Sequence, residues 1–179
     1  MYKKYVKQVL DFIIALLLLL ILSPIIVLVA IITYIDLGSP IFNERRTREG
    51  KNKKTFVMYK FRTKKMSYQD VENSNRYTKV SCIIDKYRLN ELPQLINVLK
   101  GEMSLVGPRP FIPNDDLPND EISEKRYLVK PGITGLAQVS GGRTLTHKQK
   151  LKYDEIYYDN LSFKLDLQII LKTITFILK

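Results

Sequence analysis

Cysteine occurs once in this chain, at position 82, histidine once, at 147, and tryptophan not at all. A single thiol cannot build a disulfide framework, so the fold must hold without covalent staples and suits a reducing compartment. Cys82 itself reads as a small buried hydrophobe rather than a reactive thiol. With one imidazole and one thiol there is no His/Cys cluster for zinc, which leaves open only a divalent ion held by oxygen ligands. Acidic residues are also in short supply, 18 against 29 basic ones, for a formal charge of +11. Such an excess favours an anionic partner: nucleic acid, acidic lipid or pyrophosphate. No Gly-Lys-Ser/Thr closes a Walker loop and no GxGxxG fingerprint is present. A nucleic-acid reading rests on charge alone, because no recognition-helix pattern or basic-aromatic repeat supports it. Internal repeats and low-complexity tracts are absent as well.

What the chain does have is a run without charge, from Phe12 to Ile35 (FIIALLLLLILSPIIVLVAIITYI). At about 1.5 Å per residue a straight helix of that length would cross a bilayer. It is too long for a signal-peptide core and lacks a small-residue cleavage site, so it reads as a retained membrane segment. Ser23-Pro24 at its centre predicts a kink, because proline deletes a helical hydrogen bond and its ring clashes with the preceding turn. The Ser23 hydroxyl is placed to bond a carbonyl that the proline frees. Lys3, Lys4 and Lys7 precede the run, and Arg45, Arg46, Arg48, Lys51, Lys53 and Lys54 follow it. Basic flanks on both sides fit a helical hairpin that enters and leaves by the cytoplasmic face, while the length fits a kinked spanning helix. The residues alone leave both open. A length of 179 residues then fits one membrane segment over 1–36 and one compact body over 37–179.

Beyond the Gly38-Ser39-Pro40 turn, alternation over residues 55–61 predicts a short strand, and the polar stretch 64–76 an exposed loop or lid. Leu89, Leu92, Leu95, Ile96 and Leu99 share one face of a helix predicted over 84–100, which Gly101 ends. Helix is expected to resume near Thr146. The tail from Leu165 to Lys179 is an apolar-rich helix that could lie on a bilayer or pack into the core. The fold class is thus α/β, mainly α, with short strands.

Several groups could carry chemistry. In YKFRT, Lys60 and Arg62 fall on one face of a strand, as suits a phosphate or a solvated edge. Arg109 lies between two prolines, which lowers the entropy lost when its guanidinium grips a phosphate, or a structural carboxylate. PGITGLAQVSGGR supplies Gly132, Gly135, Gly141 and Gly142 before Arg143, a layout for tight turns that also lets backbone amides approach an anion. Of the carboxylates Glu91, Asp154, Glu155, Asp159 and Asp166, Glu91 stands out by lying on the apolar-faced helix close to Pro93.

In this order, Ser-Pro at 23–24, KFRT at 60–63, NELPQLINVLKGEMSLVGPRP at 90–110, PGITGLAQV at 131–139 and YDEIYYDNLSFKLDL at 153–167 closely resemble the bacterial sugar transferase family, the monotopic phosphoglycosyl transferases. The resemblance spans nearly the whole chain and fits a minimal form holding only the catalytic unit. It implies a re-entrant helix broken at Ser23-Pro24 on the cytoplasmic face of the bacterial inner membrane. It also implies transfer of a sugar 1-phosphate from a UDP-sugar to polyprenol phosphate, with release of UMP. In the family an Asp-Glu pair carries the reaction: the Asp forms a covalent phosphosugar intermediate, and the Glu is associated with Mg²⁺. On this sequence those roles fall at Asn90 and Glu91, and the phosphate-holding cations at Lys60, Arg62, Arg88, Arg109 and Arg143. UDP-sugar, polyprenol phosphate and membrane lipid are the implied partners, and nucleic acid is not.

The departure at residue 90 matters most. A carboxamide is neutral and a poor nucleophile, so the resemblance implies an inactivated variant, a natural non-catalytic member, or one in which a neighbouring carboxylate substitutes. A non-catalytic member would use its basic face to hold anionic lipid or a partner enzyme. Smaller departures are Lys64, Thr47 and the Ser140-Gly141-Gly142-Arg143 run, which leave sugar specificity open. No residue identifies the sugar, the pathway or the oligomeric state.

Overall fold

The computed structural model describes residues 2–43, 47–65, 76–113 and 123–177, and its largest element is one helix, α1 (Lys7–Leu37). This helix follows a π-helical turn at Tyr2–Val6 and runs without interruption through Pro24. The expected separation into two helices at Ser23-Pro24 is therefore not seen as a break in the helical run. The reason is local: proline's missing N–H orphans the carbonyl four residues back, that of Leu20, and the Ser23 hydroxyl donates to that oxygen across 2.8 Å. At its far end α1 stops on Gly38, whose φ of 72° is costly for other residues and whose N–H closes on the Tyr34 carbonyl.

Two short strands, β1 (Thr47–Glu49) and β2 (Thr55–Val57), form an antiparallel hairpin. The predicted strand over 55–61 thus keeps three of its seven residues, and past Val57 a side chain takes over before the backbone pairs again with residues 41–43. Asn97, fully buried, accepts from the Tyr59 N–H at 2.9 Å and donates to the Val57 carbonyl at 2.8 Å, replacing a strand partner.

The single helix expected over 84–100 is in fact two. α2 (Lys79–Lys86), capped by a Thr78/Ser81 capping box, ends before Arg88, which adopts a left-handed conformation; a 3₁₀ turn at Leu89–Glu91 leads into α3 (Gln94–Leu99). Pro93 has no N–H to continue a helix from Leu89, so the ladder breaks there and the chain folds back on itself. Gly101 does end α3, at a φ of 74°. Of the predicted loop over 64–76, residues 66–75 lie outside the described set.

Strands β3 (Ser104–Val106) and β4 (Gly132–Thr134) pair in parallel. A Cβ at Gly132 would stand 2.1 Å from the Gly107 nitrogen, so this glycine permits backbone contact rather than anion binding. After α4 (Leu136–Ser140) and a 3₁₀ turn at Gly142–Thr144 come α5 (His147–Asp159), opened by a Thr146/Gln149 capping box where helix was expected to resume, and α6 (Phe163–Ile177). The tail helix combines both readings. Asp166 and Ile169 are buried, while Phe163, Leu167, Leu171, Ile174 and Phe176 face outward.

One core joins Ala15 of α1 to Phe56, Leu95, Met103, Val106, Tyr157 and Ile169, and a second joins Val29 of α1 to Phe61 and Ile84. Each end of α1 is also tied to the body by polar groups. Lys7 pairs with Asp166 at 2.7 Å, and Asp11 accepts from the Ser104 hydroxyl at 2.6 Å. At the other end Arg62 donates to the Leu37 and Gly38 carbonyls, and Thr78 to Asp36. Between these ties Phe12, Leu16, Leu17, Leu20, Ile21 and Leu28 are exposed. Cys82, expected to be buried, is exposed on α2 beside the outward Val80 and Ile83.

Candidate active site

The turn that splits the predicted helix builds the site. The Phe61 N–H donates to the Asn90 carbonyl at 2.9 Å, which docks the KFRT segment onto the Leu89–Glu91 turn and brings Lys60 to Glu91. Lys60 Nζ stands 2.8 Å from Glu91 Oε1, with Arg88 Nη1 at 3.7 Å and Arg109 Nη2 at 3.8 Å from the same oxygen. Burial alone would raise the Glu91 carboxyl, but Lys60, Arg109 and Arg88 outweigh it and hold the group below the usual glutamate range. Three cations around one buried anion leave a net positive centre suited to further negative charge.

Arg109 is set from behind. The buried Arg126 donates to the Arg109 carbonyl at 2.6 Å, lies over the Phe111 ring at 3.2 Å from its centroid, and pairs with Asp154 at 3.6 Å. Burial pushes the Asp154 carboxyl up to about 7 despite Arg126. Asp85 accepts from Asn90 Nδ2 at 3.0 Å and from Arg143 Nη2 at 2.9 Å.

These groups share one cavity of about 810 Å³. Lys60, Asp85, Arg88, Glu91, Arg109 and Arg143 line its polar end; Ile14, Leu18 and Leu22 of α1 and Ile170, Ile174 and Ile177 of α6 line an apolar end. The volume is within the range of small-ligand pockets. Of the residues singled out from sequence, Lys60, Arg88, Glu91, Arg109 and Arg143 meet here, with Asn90 immediately behind, fully buried. Arg62 does not join them. Its guanidinium is buried against the end of α1, where a cation also suits the helix dipole. Asp85, Arg126 and the role of Asp154 were not foreseen. Asp85 lies on α2, and only the left-handed Arg88 turns it toward Asn90, a geometry that helical periodicity does not encode.

Among the described residues no group of three His, Cys, Asp or Glu side chains could hold a metal. Glu91 is an ionised carboxylate, and Mg²⁺ commonly takes one or two carboxylates and completes its shell with water and substrate phosphates.

The cationic pocket opens onto apolar helices, beside one helix long and apolar enough to cross a membrane. The chain belongs to the bacterial sugar transferase family, which it matches over residues 2–179. It is 41% identical over 175 residues to the uncharacterized sugar transferase EpsL of Bacillus subtilis, covering 94% of this chain and 85% of that one. It is 34% identical to the undecaprenyl-phosphate galactose phosphotransferase of Salmonella typhimurium, covering 98% of this chain and 41% of that protein. With the UDP-glucose:undecaprenyl-phosphate glucose-1-phosphate transferase of Escherichia coli the identity is 34%, over 96% of this chain and 40% of the relative.

Proposed function

We propose that this protein is a phosphoglycosyl transferase that moves a sugar 1-phosphate from a UDP-sugar to polyprenol phosphate and releases UMP, the first membrane step in assembling a glycoconjugate. The observation that carries this reading is the continuity of the cavity, from the cations around Glu91 to the apolar walls of α1 and α6. Two phosphates and a sugar suit the polar end; an isoprenoid chain suits the other. The names of the relatives point the same way, to UDP-sugar and undecaprenyl-phosphate chemistry.

In this reading Lys60, Arg88 and Arg109 bind the pyrophosphate, with Arg109 held in place through its backbone by Arg126. Glu91 would hold Mg²⁺, which supplies charge neutralisation on the transferring phosphoryl group. A covalent phosphosugar intermediate lets a soluble donor and a lipid acceptor use one site in turn. The family position for its nucleophile is residue 90, and the amide there cannot supply one. If no other carboxylate serves, the chain is an inactivated variant or a membrane-anchored binding protein that holds donor, anionic lipid or a partner enzyme without turnover; buried Asn90 favours this second reading.

In this reading the membrane segment 1–36 enters and leaves by the cytoplasmic face within one helical run, with the body over 37–179 on that face of the inner membrane. Support comes from the ties at both ends of α1. Lys7 and Asp36 are separated by about 44 Å if the helix is straight, more than the ~30 Å hydrocarbon core. Yet both are bonded to one charged body, which cannot occupy both sides of a bilayer.

The reading is tested by measuring UMP release from UDP-glucose and UDP-galactose with undecaprenyl phosphate, for wild type and Asn90→Asp. Steady-state release that requires both substrates in either protein supports it. Absence of release in both, across a wider panel of UDP-sugars, removes it.

A further inference from the structure

We propose that Asp85, and not residue 90, is the attacking carboxylate of this chain, an inference that rests on the phosphoglycosyl transferase reading. Residue 90 is fully buried, its Oδ1 has no partner among the described residues and its Nδ2 is given to Asp85. It serves as a holder. The carboxylate it holds lines the same cavity as Lys60 and Glu91. Glu91 is a poorer nucleophile, since Lys60, Arg88 and Arg109 all crowd its Oε1.

Asp85 has the two properties the step needs. It is ionised: burial would raise its carboxyl, but the hydrogen bonds from Arg143 and Asn90 and the charge of Lys60 together hold it below the usual aspartate range. It can also be uncovered, because the Arg143 side chain on Oδ2 is 76% exposed and such solvated pairs are weak. A phosphate entering the pocket competes for that guanidinium and frees Oδ2 for attack. The amide at 90 suits this arrangement. It donates to Oδ1 without neutralising it, whereas a carboxylate 3.0 Å away would repel it and drive one of the two to take up a proton.

The step balances without any further reagent. A lone pair on Asp85 Oδ2 forms a bond to the β-phosphorus of the UDP-sugar, and the bond from that phosphorus to the bridging oxygen breaks. The bridging oxygen leaves with its electron pair on UMP. An oxygen of polyprenol phosphate then bonds to the same phosphorus, and the acyl-phosphate bond breaks to return the Asp85 carboxylate.

The test uses the full chain in detergent with UDP-glucose and UDP-galactose. Hydroxylamine added during a single turnover, without acceptor, should leave a hydroxamate at residue 85, found by peptide mass. Asp85→Asn should lose UMP release by a factor on the order of 10³ or more. Asn90→Asp should turn over more slowly than wild type, because a second carboxylate beside Asp85 repels it or shares its proton. The inference is overturned by a hydroxamate at Glu91, by unchanged turnover in Asp85→Asn, or by a silent wild type that Asn90→Asp awakens. That last outcome leaves the phosphoglycosyl transferase reading standing, whereas silence in wild type, Asn90→Asp and Asp85→Asn/Asn90→Asp alike removes both.

Discussion

Arg126 reaches the backbone carbonyl of Arg109 across 2.6 Å while its own charge is paired with Asp154, 3.6 Å away. A buried cation thus fixes the proline-bounded loop that presents Arg109, and its counter-charge is itself close to losing ionisation. Because the folded state raises the Asp154 carboxyl from 3.8 to about 7, this group's contribution to stability is full below the unfolded value and is lost as pH rises through the folded one. The contribution is at most about 4 kcal/mol. Asp154→Asn should remove that slope, so the variant gains on wild type in thermal midpoint as pH increases across the window. Parallel curves would contradict the assignment.

Lys60 and Arg62 are two residues apart and do different work. Arg62→Gln forfeits the bonds to the Leu37 and Gly38 carbonyls and should cost about 1–3 kcal/mol of stability. Donor KM should not change. Lys60→Met should raise donor KM about tenfold or more, the size of one charge-assisted phosphate contact. Thermal shift and steady-state kinetics on both variants separate the roles, and the reverse pattern would return Arg62 to the phosphates.

Lys7 and Asp166 form a buried pair that ties the membrane helix to the body at 2.7 Å. Asp166→Asn should destabilise by about 1–3 kcal/mol, because the buried Lys7 ammonium loses its 2.7 Å partner and is left with the longer 3.6 Å pair to Asp11. Adding Lys7→Met should recover part of that loss, with a coupling of about 1 kcal/mol or more by double-mutant cycle. Strictly additive losses would mean that the pair contributes nothing.

Topology can be read from cysteines at Lys3 and Ser39 in a Cys82→Ala background. Both should resist a membrane-impermeant maleimide applied outside intact cells and react in inverted vesicles. Labelling of one from each side would make α1 a spanning helix.

Much of this molecule was legible in its sequence, for identifiable reasons. The Ser23 and Pro24 partnership, the Thr146 start of α5 and the Gly101 stop follow from rules local to a few residues. The meeting of Lys60, Glu91 and Arg109 was legible too, but through resemblance and not through spacing. Illegible were features set by long-range packing: the left-handed turn at Arg88, the diversion of Arg62 to a helix end, and the burial of Arg126 behind Arg109. Cys82 was misjudged because composition ranks it as a core residue, while α2 presents an apolar outer face.

Glu91 and Arg109 sit at the centre of the cation cluster. In wild type or Asn90→Asp, whichever turns over, Glu91→Gln should weaken the dependence of rate on Mg²⁺, and Arg109→Ala should raise donor KM. Unchanged kinetics in both would take these residues out of the site.

The most direct test follows the phosphorus. UDP-glucose or UDP-galactose radiolabelled in the β-phosphate is incubated with undecaprenyl phosphate and the full chain, and label is partitioned between lipid and water. The account predicts that the label moves with the sugar into the lipid phase while unlabelled UMP accumulates in equal amount. Label left behind in UDP as sugar alone is transferred, or no transfer by either wild type or Asn90→Asp with any UDP-sugar, would contradict it.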